Sequence, residues 1–167
     1  MQHYEIPIPH QETSCNLQAA IYLWPRWGRL NAGDVPQQVF SHLLGMMLKE
    51  ELPLLHEVLI QSGLHVGHLV SLWHQQSFLG ILNIPDVVSY ITVGLLLGPD
   101  WLLYFLLALL QQQEIQVRQQ WLAGGVVCDK LMRQLTFNLQ KALPFMKNLQ
   151  DKWSERVITM LNRLPSL

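Results

Sequence analysis

Apolar residues recur every three or four positions along most of this chain, and this spacing predicts helices. A first stripe follows Asp34, a candidate helix N-cap with Pro36 tolerated in the first turn. Its members are Val39, Phe40, Leu43, Leu44, Met47 and Leu48. Pro53 is expected to kink or restart this helix, and Gly63 to stop it. Between them the stripe continues through Leu54, Leu55, Val58 and Leu59.

Three further helices are predicted before residue 122. The first covers residues 66–82 and has one apolar side, formed by Leu69, Val70, Trp73, Ser77 and Ile81. The second covers residues 86–97 and follows the start signal Asn83-Ile84-Pro85-Asp86. The third begins near Trp101 after Gly98-Pro99-Asp100 and is apolar nearly all round as far as Leu110, so it should be the central buried helix. The expected core residues are Trp73, Phe78, Leu106 and Leu109.

The C-terminal part follows a candidate hinge at Gly124-Gly125. Its leucines repeat every four residues up to Pro144, and a last helix is predicted after that proline. The leucines are Leu131, Leu135 and Leu139, and the apolar face of the last helix is Met146, Leu149, Trp153, Val157, Met160 and Leu164. Lys147, Lys152, Arg156 and Arg163 make this helix basic as well as amphipathic. It is expected to pack on the domain, to lie in a partner's groove, or to rest on a membrane surface.

An all-α fold is predicted, because no segment has strand periodicity and no internal repeat is present. At 167 residues the chain is long enough for one domain with a helical tail. We expect an extended lead-in over residues 1–21, a helical domain over residues 22–122 and a helical tail over residues 123–167. The aromatic segment at residues 22–28 should anchor onto the core.

The composition is unusually apolar, with 50% hydrophobic residues and 14% charged residues, against a usual charged share of about 25%. Residues 91–110 therefore need testing as a membrane span. Gly98-Pro99-Asp100 interrupts their middle, and no Lys or Arg flanks them closely. Two buried helices are predicted here, and no stable membrane insertion is expected. Cys15 and Cys128 form neither a metal spacing nor a disulfide framework, which favours reduced thiols in the cytosol. The first residues contain no basic region followed by an apolar run, so no secretory signal is expected.

Charge is unevenly distributed although the net charge is only −1, which gives no field to attract nucleic acid. Residues 50–117 contain no Lys or Arg but six acidic residues, whereas eight basic and three acidic residues follow from Arg118 onward. This pattern is typical either of a solvated acidic face with a solvated basic tail or of a polarised binding surface.

No catalytic, cofactor-binding or metal-binding residues are predicted. His65, His68 and His74 lack the converging carboxylates or thiolates of a zinc site, and Ile60 occupies the second histidine position of a zinc-protease pattern begun at His56. Phosphate loops, dinucleotide turns and nucleophile elbows are absent from the sequence.

Residues 73–114 resemble the C-terminal half of a TBC domain, the helical fold of Rab GTPase-activating proteins. The matching elements are Trp73 with Phe78, then Ile84-Pro85-Asp86-Val87-Val88, Gly98-Pro99-Asp100 and Leu107-Ala108-Leu109-Leu110. The family's usual Arg-Ile-Trp-Asp is replaced by Ser89-Tyr90-Ile91-Thr92. The resemblance implies a helical bundle similar to that half-domain.

Residues 22–114 are also similar to the atypical TBC-like region at the C-terminus of the broad-minded family of ciliary proteins. The similarity lies in Trp24-Pro25-Arg26-Trp27-Gly28, Asp34-Val35-Pro36, Gln38-Val39-Phe40-Ser41-His42-Leu43-Leu44, Met47-Leu48-Lys49-Glu50-Glu51-Leu52-Pro53-Leu54 and Leu97-Gly98-Pro99-Asp100.

Active TBC proteins insert an arginine and a glutamine beside GTP, from Ile-x-x-Asp-x-x-Arg and Tyr-x-Gln motifs. The residues three positions after each aspartate are Gln37, Ser89, Leu103, Met132 and Ser154, and none is arginine. Those two positions after each tyrosine are Ile6, Trp24, Thr92 and Leu106, and none is glutamine. The chain is therefore predicted not to be an enzyme.

The resemblance implies a non-catalytic scaffold in primary-cilium assembly and Hedgehog signalling, in the cytoplasm at the cilium or its base. A cell-cycle-related kinase, other ciliary proteins or a Rab-like GTPase would be its partners. One alternative is part of a Rab GTPase-activating protein whose catalytic half lies outside this chain. A second alternative is a membrane-associated helical protein.

Overall fold

The computed structural model describes residues 34–67, 69, 73, 78–98, 100–125, 127 and 135–162. Five helices run through these residues: α1 (Asp34–Glu51), α2 (Pro53–Gln61), α3 (Ile84–Leu97), α4 (Asp100–Leu122) and α5 (Leu139–Asn162). A lone bridge between Leu79 and Leu82 is the only β-type pairing in this part of the chain. The predicted all-α bundle is confirmed.

Helices α1 and α2 bury most of the predicted stripe, and the backbone leaves the helical conformation between them. Leu52 separates the two helices with non-helical angles of φ −133° and ψ 58°, and Pro53 starts α2. Leu55, Val58 and Leu59 are buried, whereas Leu54 is 55% exposed. The prediction that Leu54 continues the stripe is wrong, because the buried face of α2 runs through Leu55, Val58 and Leu59 and leaves Leu54 exposed.

The segment before α3 ends in a turn rather than in a helix that reaches residue 82. Leu69 and Trp73 are helical and buried as predicted, but Phe78 has a φ of +60° and Gly80 a φ of +83°. A left-handed backbone at a non-glycine residue costs roughly 1–2 kcal/mol, and full burial of a phenylalanine contributes roughly 1.5–3 kcal/mol. Burial of the Phe78 ring therefore offsets the strain of the turn.

Helix α4 lies at the centre and contacts α1, α2, α3 and α5. Residues 101–110 are buried on every side, as the run of apolar residues predicts. The break before α4 is at Gly98, whose φ of +109° disfavours any residue with a side chain. At the N-terminal end of α3, the Asn83 side chain caps the helix by accepting from the Asp86 N–H at 2.9 Å. None of the described helices is long and apolar enough to cross a bilayer.

Aromatic rings fill the space between α4 and its neighbours. Phe105 packs against Phe78, Tyr90 and Phe137, with ring centroids 6.3, 5.2 and 4.4 Å away. Trp73 packs on Phe78 at 5.8 Å. The four predicted core residues, Trp73, Phe78, Leu106 and Leu109, are all fully buried.

The C-terminal helix begins earlier than predicted and contains Pro144 within it. Asn138 caps α5, since its side chain accepts from the Lys141 N–H at 2.9 Å, and Pro144 falls in the second turn. Leu135, predicted to lie in a helix, is buried in a non-helical connection, and its N–H donates to the Ile81 carbonyl at 2.7 Å. The apolar residue at position 135 is therefore explained by burial of this connection and not by a helical repeat.

Two adjacent glutamines on α4 fix this connection. Gln112 donates to the Asn138 carbonyl at 3.0 Å and accepts from its N–H at 2.9 Å. The buried Gln113 donates to the Thr136 carbonyl at 2.7 Å. The predicted lead-in and aromatic segment lie outside the described residues, and the division of the chain at residue 122 stays a prediction.

Candidate functional site

Oppositely charged residues meet where the C-terminal end of α1 lies against the middle of α5. Lys152 Nζ is 2.8 Å from both Glu50 Oε1 and Glu51 Oε1. The Trp153 indole N–H donates to Glu51 Oε1 at 2.7 Å. Hydrogen bonds to Glu50 and then Glu51 raise the pKa of Lys152. We call this contact the α1–α5 seam.

The two glutamates of the seam differ in burial. The Glu51 side chain is 11% exposed, against 50% for Glu50. A charge-assisted hydrogen bond is stronger when its carboxylate is shielded from water, so Glu51 is the main polar anchor of α5. Of the three positions expected for the basic helix, the structure shows it packed on the domain. Lys152 of the basic C-terminal part pairs there with Glu50 and Glu51 of the acidic part, so some of the segregated charges meet within the chain.

Arg156 extends the seam by one turn. Its guanidinium donates to Met46 Sδ at 3.5 Å and lies 5.5 Å from the centroid of the Trp153 ring. Among the residues that the structure describes, no carboxylate forms an ion pair with Arg156. This arginine is therefore a cation on the surface beside Met46.

An open groove of about 360 Å³ lies between α1, α2 and residues 64–67. Three histidines and a lysine, His42, His56, His65 and Lys49, line it together with Met46, Ile60 and other small or apolar residues. None of the described residues that line it is a carboxylate. We call it the histidine groove, and it combines one lysine and three imidazole rings with an apolar floor.

Two glycines shape the groove. A Cβ atom on Gly45 of α1 would meet nothing within 4 Å, so this position faces free space. A Cβ atom on Gly67 would lie 3.1 Å from Ser41 Cβ and Oγ, so the glycine permits close approach of residues 64–67 to α1. Gly45 thus leaves space free in the groove, and Gly67 lets residues 64–67 lie close to α1.

A second groove, of about 440 Å³, runs beside the C-terminal half of α5. Its lining residues are Lys152, Glu155, Arg156, Thr159 and Met160. Because Arg156 lines this groove and contacts Met46 of the histidine groove, the two grooves meet at the Met46–Arg156 contact. Their charged lining residues are Lys49, Lys152 and Arg156, with Glu155 as the carboxylate among the described ones.

A buried carboxyl lies at the start of α4 but is not arranged for chemistry. Asp100 is 9% exposed, and this burial raises the pKa of its carboxyl. Hydrogen bonds from the backbone N–H groups of Asp100 and Trp101 partly offset the rise because they lower the pKa. The Tyr104 hydroxyl is beside this carboxyl without the geometry of a full hydrogen bond. Burial and the Asp100 charge raise the pKa of Tyr104. This pair belongs to the packing of the helix end.

The charge pattern of the sequence indicated a polarised binding surface as one interpretation and assigned no residues to that surface. It did not identify His42, Gly45, Met46 or Lys49 as one surface. These four positions are spaced by three, one and three residues, which places them on one face of α1, away from the buried stripe. Within the described residues, no group of three or more His, Cys, Asp or Glu is placed to hold a metal ion. His68 and His74 lie outside those residues.

A family model described as the broad-minded protein Rab TBC domain matches residues 32–164. Protein broad-minded of Danio rerio is 26% identical over 121 residues, which cover 71% of this chain and 9% of the relative. Protein broad-minded of Mus musculus is 29% identical over 79 residues, or 47% of this chain and 6% of the relative. The chain thus spans less than a tenth of either relative.

No solved structure matches the chain. The family match extends about 50 residues beyond residue 114, where the resemblance noted from the sequence ended, and so takes in the basic helix α5. The predicted resemblance is confirmed. This chain belongs to the broad-minded Rab TBC domain family.

Proposed function

We propose that this chain is a non-catalytic TBC-like scaffold that binds other proteins. The main support is that a family match covers residues 32–164 while the sequence contains neither the arginine nor the glutamine motif of active TBC proteins. Without both side chains, the domain lacks the groups that stabilise transition-state charge and orient the attacking water.

The described arginines also favour a scaffold. Arg118 lies 3.9 Å from Glu114 on the same helix, and Arg156 is held by Met46 and Trp153. An arginine finger must extend from its domain to reach a bound nucleotide. Both of these arginines instead lie against their own helices or the seam.

The proposed setting is primary-cilium assembly and Hedgehog signalling, in the cytoplasm at the cilium or its base. A ciliary kinase or a Rab-like GTPase is the proposed partner. The support is kinship with the broad-minded family, which is an argument by family membership rather than by site chemistry.

The catalytic part of the proposal is tested by single-turnover GTP hydrolysis with a panel of purified Rab proteins. We expect hydrolysis rates equal to the intrinsic rates, with an active TBC protein as the positive control. An arginine finger supplied in trans accelerates hydrolysis by about 10³–10⁵-fold, so even partial activity would be visible. Acceleration of any Rab by this chain would overturn the proposal.

A Rab GTPase-activating protein with its catalytic half elsewhere is the second candidate, because the chain spans only 9% of its zebrafish relative. The same hydrolysis assay on a longer protein that includes this chain separates the two candidates. For the ciliary setting, the tagged chain should concentrate at the ciliary base of ciliated cells. Uniform distribution in those cells would refute that setting.

A further inference from the structure

We propose that the histidine groove docks an acidic linear segment of a partner protein, with an apolar side chain of that segment covering Met46 and Ile60. The inference rests on the proposed binding role and names the chemistry of the partner. It concerns a surface that lies apart from the α4 core and is formed by α1, α2 and residues 64–67.

The charge around the groove favours an acidic segment. Lys49 and three histidines line the groove, and Arg156 lies at its end beside Met46. Three carboxylates are close in sequence but none of them lines the groove: Glu50 and Glu51 bind Lys152, and Glu57 accepts from Gln61 at 2.7 Å. The Lys49 ammonium and the histidine ring N–H groups thus have no carboxylate among the described lining residues to accept from them.

The apolar part of the groove favours a segment with an anchor residue. Ile60 is 59% exposed, and Met46 and Val66 are half-buried along the same groove. An apolar side chain laid across them would remove this surface from water. The free space above Gly45 gives room for such a side chain.

The shape favours a linear segment over a compact ligand. The histidine groove is open and meets the second groove at the Met46–Arg156 contact, so an extended chain could follow both. Glu155 lines the second groove and would disfavour acidic residues at that end. A continuous polyanion such as nucleic acid fits this arrangement poorly, whereas a short acidic stretch with mixed flanks fits it well.

The probes are three fluorescein-labelled synthetic peptides with repeating units Glu-Glu-Leu, Lys-Lys-Leu and Glu-Glu-Ser. Binding to the purified full chain is measured by fluorescence anisotropy at low and high salt. We expect the Glu-Glu-Leu peptide to bind at least about tenfold more tightly than either of the others, and more weakly at high salt. Equal binding of the Glu-Glu-Ser or Lys-Lys-Leu peptide would overturn the proposal, as would no binding of the Glu-Glu-Leu peptide.

The central variant is Gly45→Gln, which puts a side chain into the free space of the groove. Glutamine favours a helix interior more than glycine does, so the melting temperature should be unchanged or higher. Affinity for the Glu-Glu-Leu peptide should nevertheless fall by about tenfold or more. Unchanged affinity in this folded variant would exclude the groove as the binding site.

Lys49→Glu and Lys147→Glu form a matched pair for the charge. Lys49 lines the groove, whereas Lys147 is exposed nine residues before Arg156, on the opposite side of α5. Lys49→Glu should weaken binding by about five- to tenfold, and Lys147→Glu by less than about twofold. Similar losses in both variants would mean that only the overall charge matters.

Vesicles rich in phosphatidylserine test the main competing occupant. Binding to these vesicles that is lost in Gly45→Gln would assign the groove to a membrane surface and overturn the peptide proposal. Neither result depends on Rab hydrolysis or on ciliary location, so failure here is distinguishable from failure of the proposed function.

Discussion

Residues 101–110 of α4 and residues 149–157 of α5 both lie against other helices of the bundle, but they are buried in different ways. In α4 every residue of this stretch is buried. In α5 only Leu149, Trp153 and Val157 are buried, while Lys152 and Arg156 stay at the surface and bond across the seam. Residues 101–110 of α4 are held by non-directional apolar packing. Residues 149–157 of α5 add directional polar bonds at the surface.

This difference indicates where the domain can accept a ligand. Apolar packing in α4 is insensitive to salt, and any side chain removed from it leaves a cavity. The polar contacts of the seam depend on geometry, salt and charge, and they adjoin the two grooves. A binding surface is therefore expected beside the seam, where side chains remain available to solvent, rather than around α4.

The largest effect is expected from Phe105→Ala in α4. The ring is fully buried between Phe78, Tyr90 and Phe137, so its loss should cost about 3–5 kcal/mol of the free energy of unfolding. Ile115→Ala on the same helix is the control, since Ile115 is 69% exposed and should cost less than about 0.5 kcal/mol. Urea unfolding followed by far-ultraviolet circular dichroism measures both.

A loss below about 1 kcal/mol for Phe105→Ala would contradict the central position of α4. A domain of this size has a total stability of about 5–15 kcal/mol, so the alanine variant could fail to fold. Phe105→Leu then gives the test, because it leaves a smaller cavity and should lose a measurable part of the same stability.

A smaller effect is expected at the seam from Glu51→Ala. This change removes the acceptor of the Trp153 indole N–H and one partner of Lys152, and should cost about 1–3 kcal/mol. Glu50→Ala is the matched control: its carboxylate is also 2.8 Å from Lys152, but both side chains are about half exposed. We expect a clearly smaller loss, which added salt reduces further. Equal losses for the two variants would show that burial of Glu51 has no energetic role.

The core of this fold could be predicted because its signals are local. The stripe on α1, the apolar run of α4 and the stop at Gly98 each follow from helical spacing or from the special backbone of glycine. Where the prediction from the sequence was wrong, tertiary contacts determine the backbone conformation. Phe78 adopts a left-handed conformation because its ring is buried, and no sequence signal reports that.

The grooves and the seam could not be predicted in the same way. The pairing of Glu51 with Trp153 joins residues 102 positions apart, so the sequence showed the segregated charges but not that they meet. Pro144 appeared to mark a helix start, yet the capping by Asn138 and the buried face through Ala142 and Met146 carry α5 across it. Packing between residues far apart in the sequence determines such sites, and helical periodicity carries no information about that packing.

The smallest effect is expected from Asp100→Asn. This variant tests whether burial of the Asp100 carboxyl, as in the core, or its charge, as in the seam, has the larger effect on stability. Burial raises the pKa of Asp100 above that of the unfolded chain, so the folded protein binds more protons between the two values. The stability contributed by the neutral form is therefore present at low pH and lost as the pH rises through the folded pKa. Asparagine stays neutral and still accepts from the backbone N–H groups, so the variant should be more stable than the parent at neutral pH. This advantage should shrink as the pH is lowered towards about 4, with the exposed Asp151→Asn as the control.

Urea midpoints of the two variants and the parent, measured at several pH values, give the answer. An Asp100→Asn variant that is less stable than the parent at neutral pH would mean that attraction between the carboxylate and the N-terminus of α4 outweighs burial. In that case the start of α4 would be stabilised by charge, as the seam is, and the contrast between the two regions would not extend to its first turn.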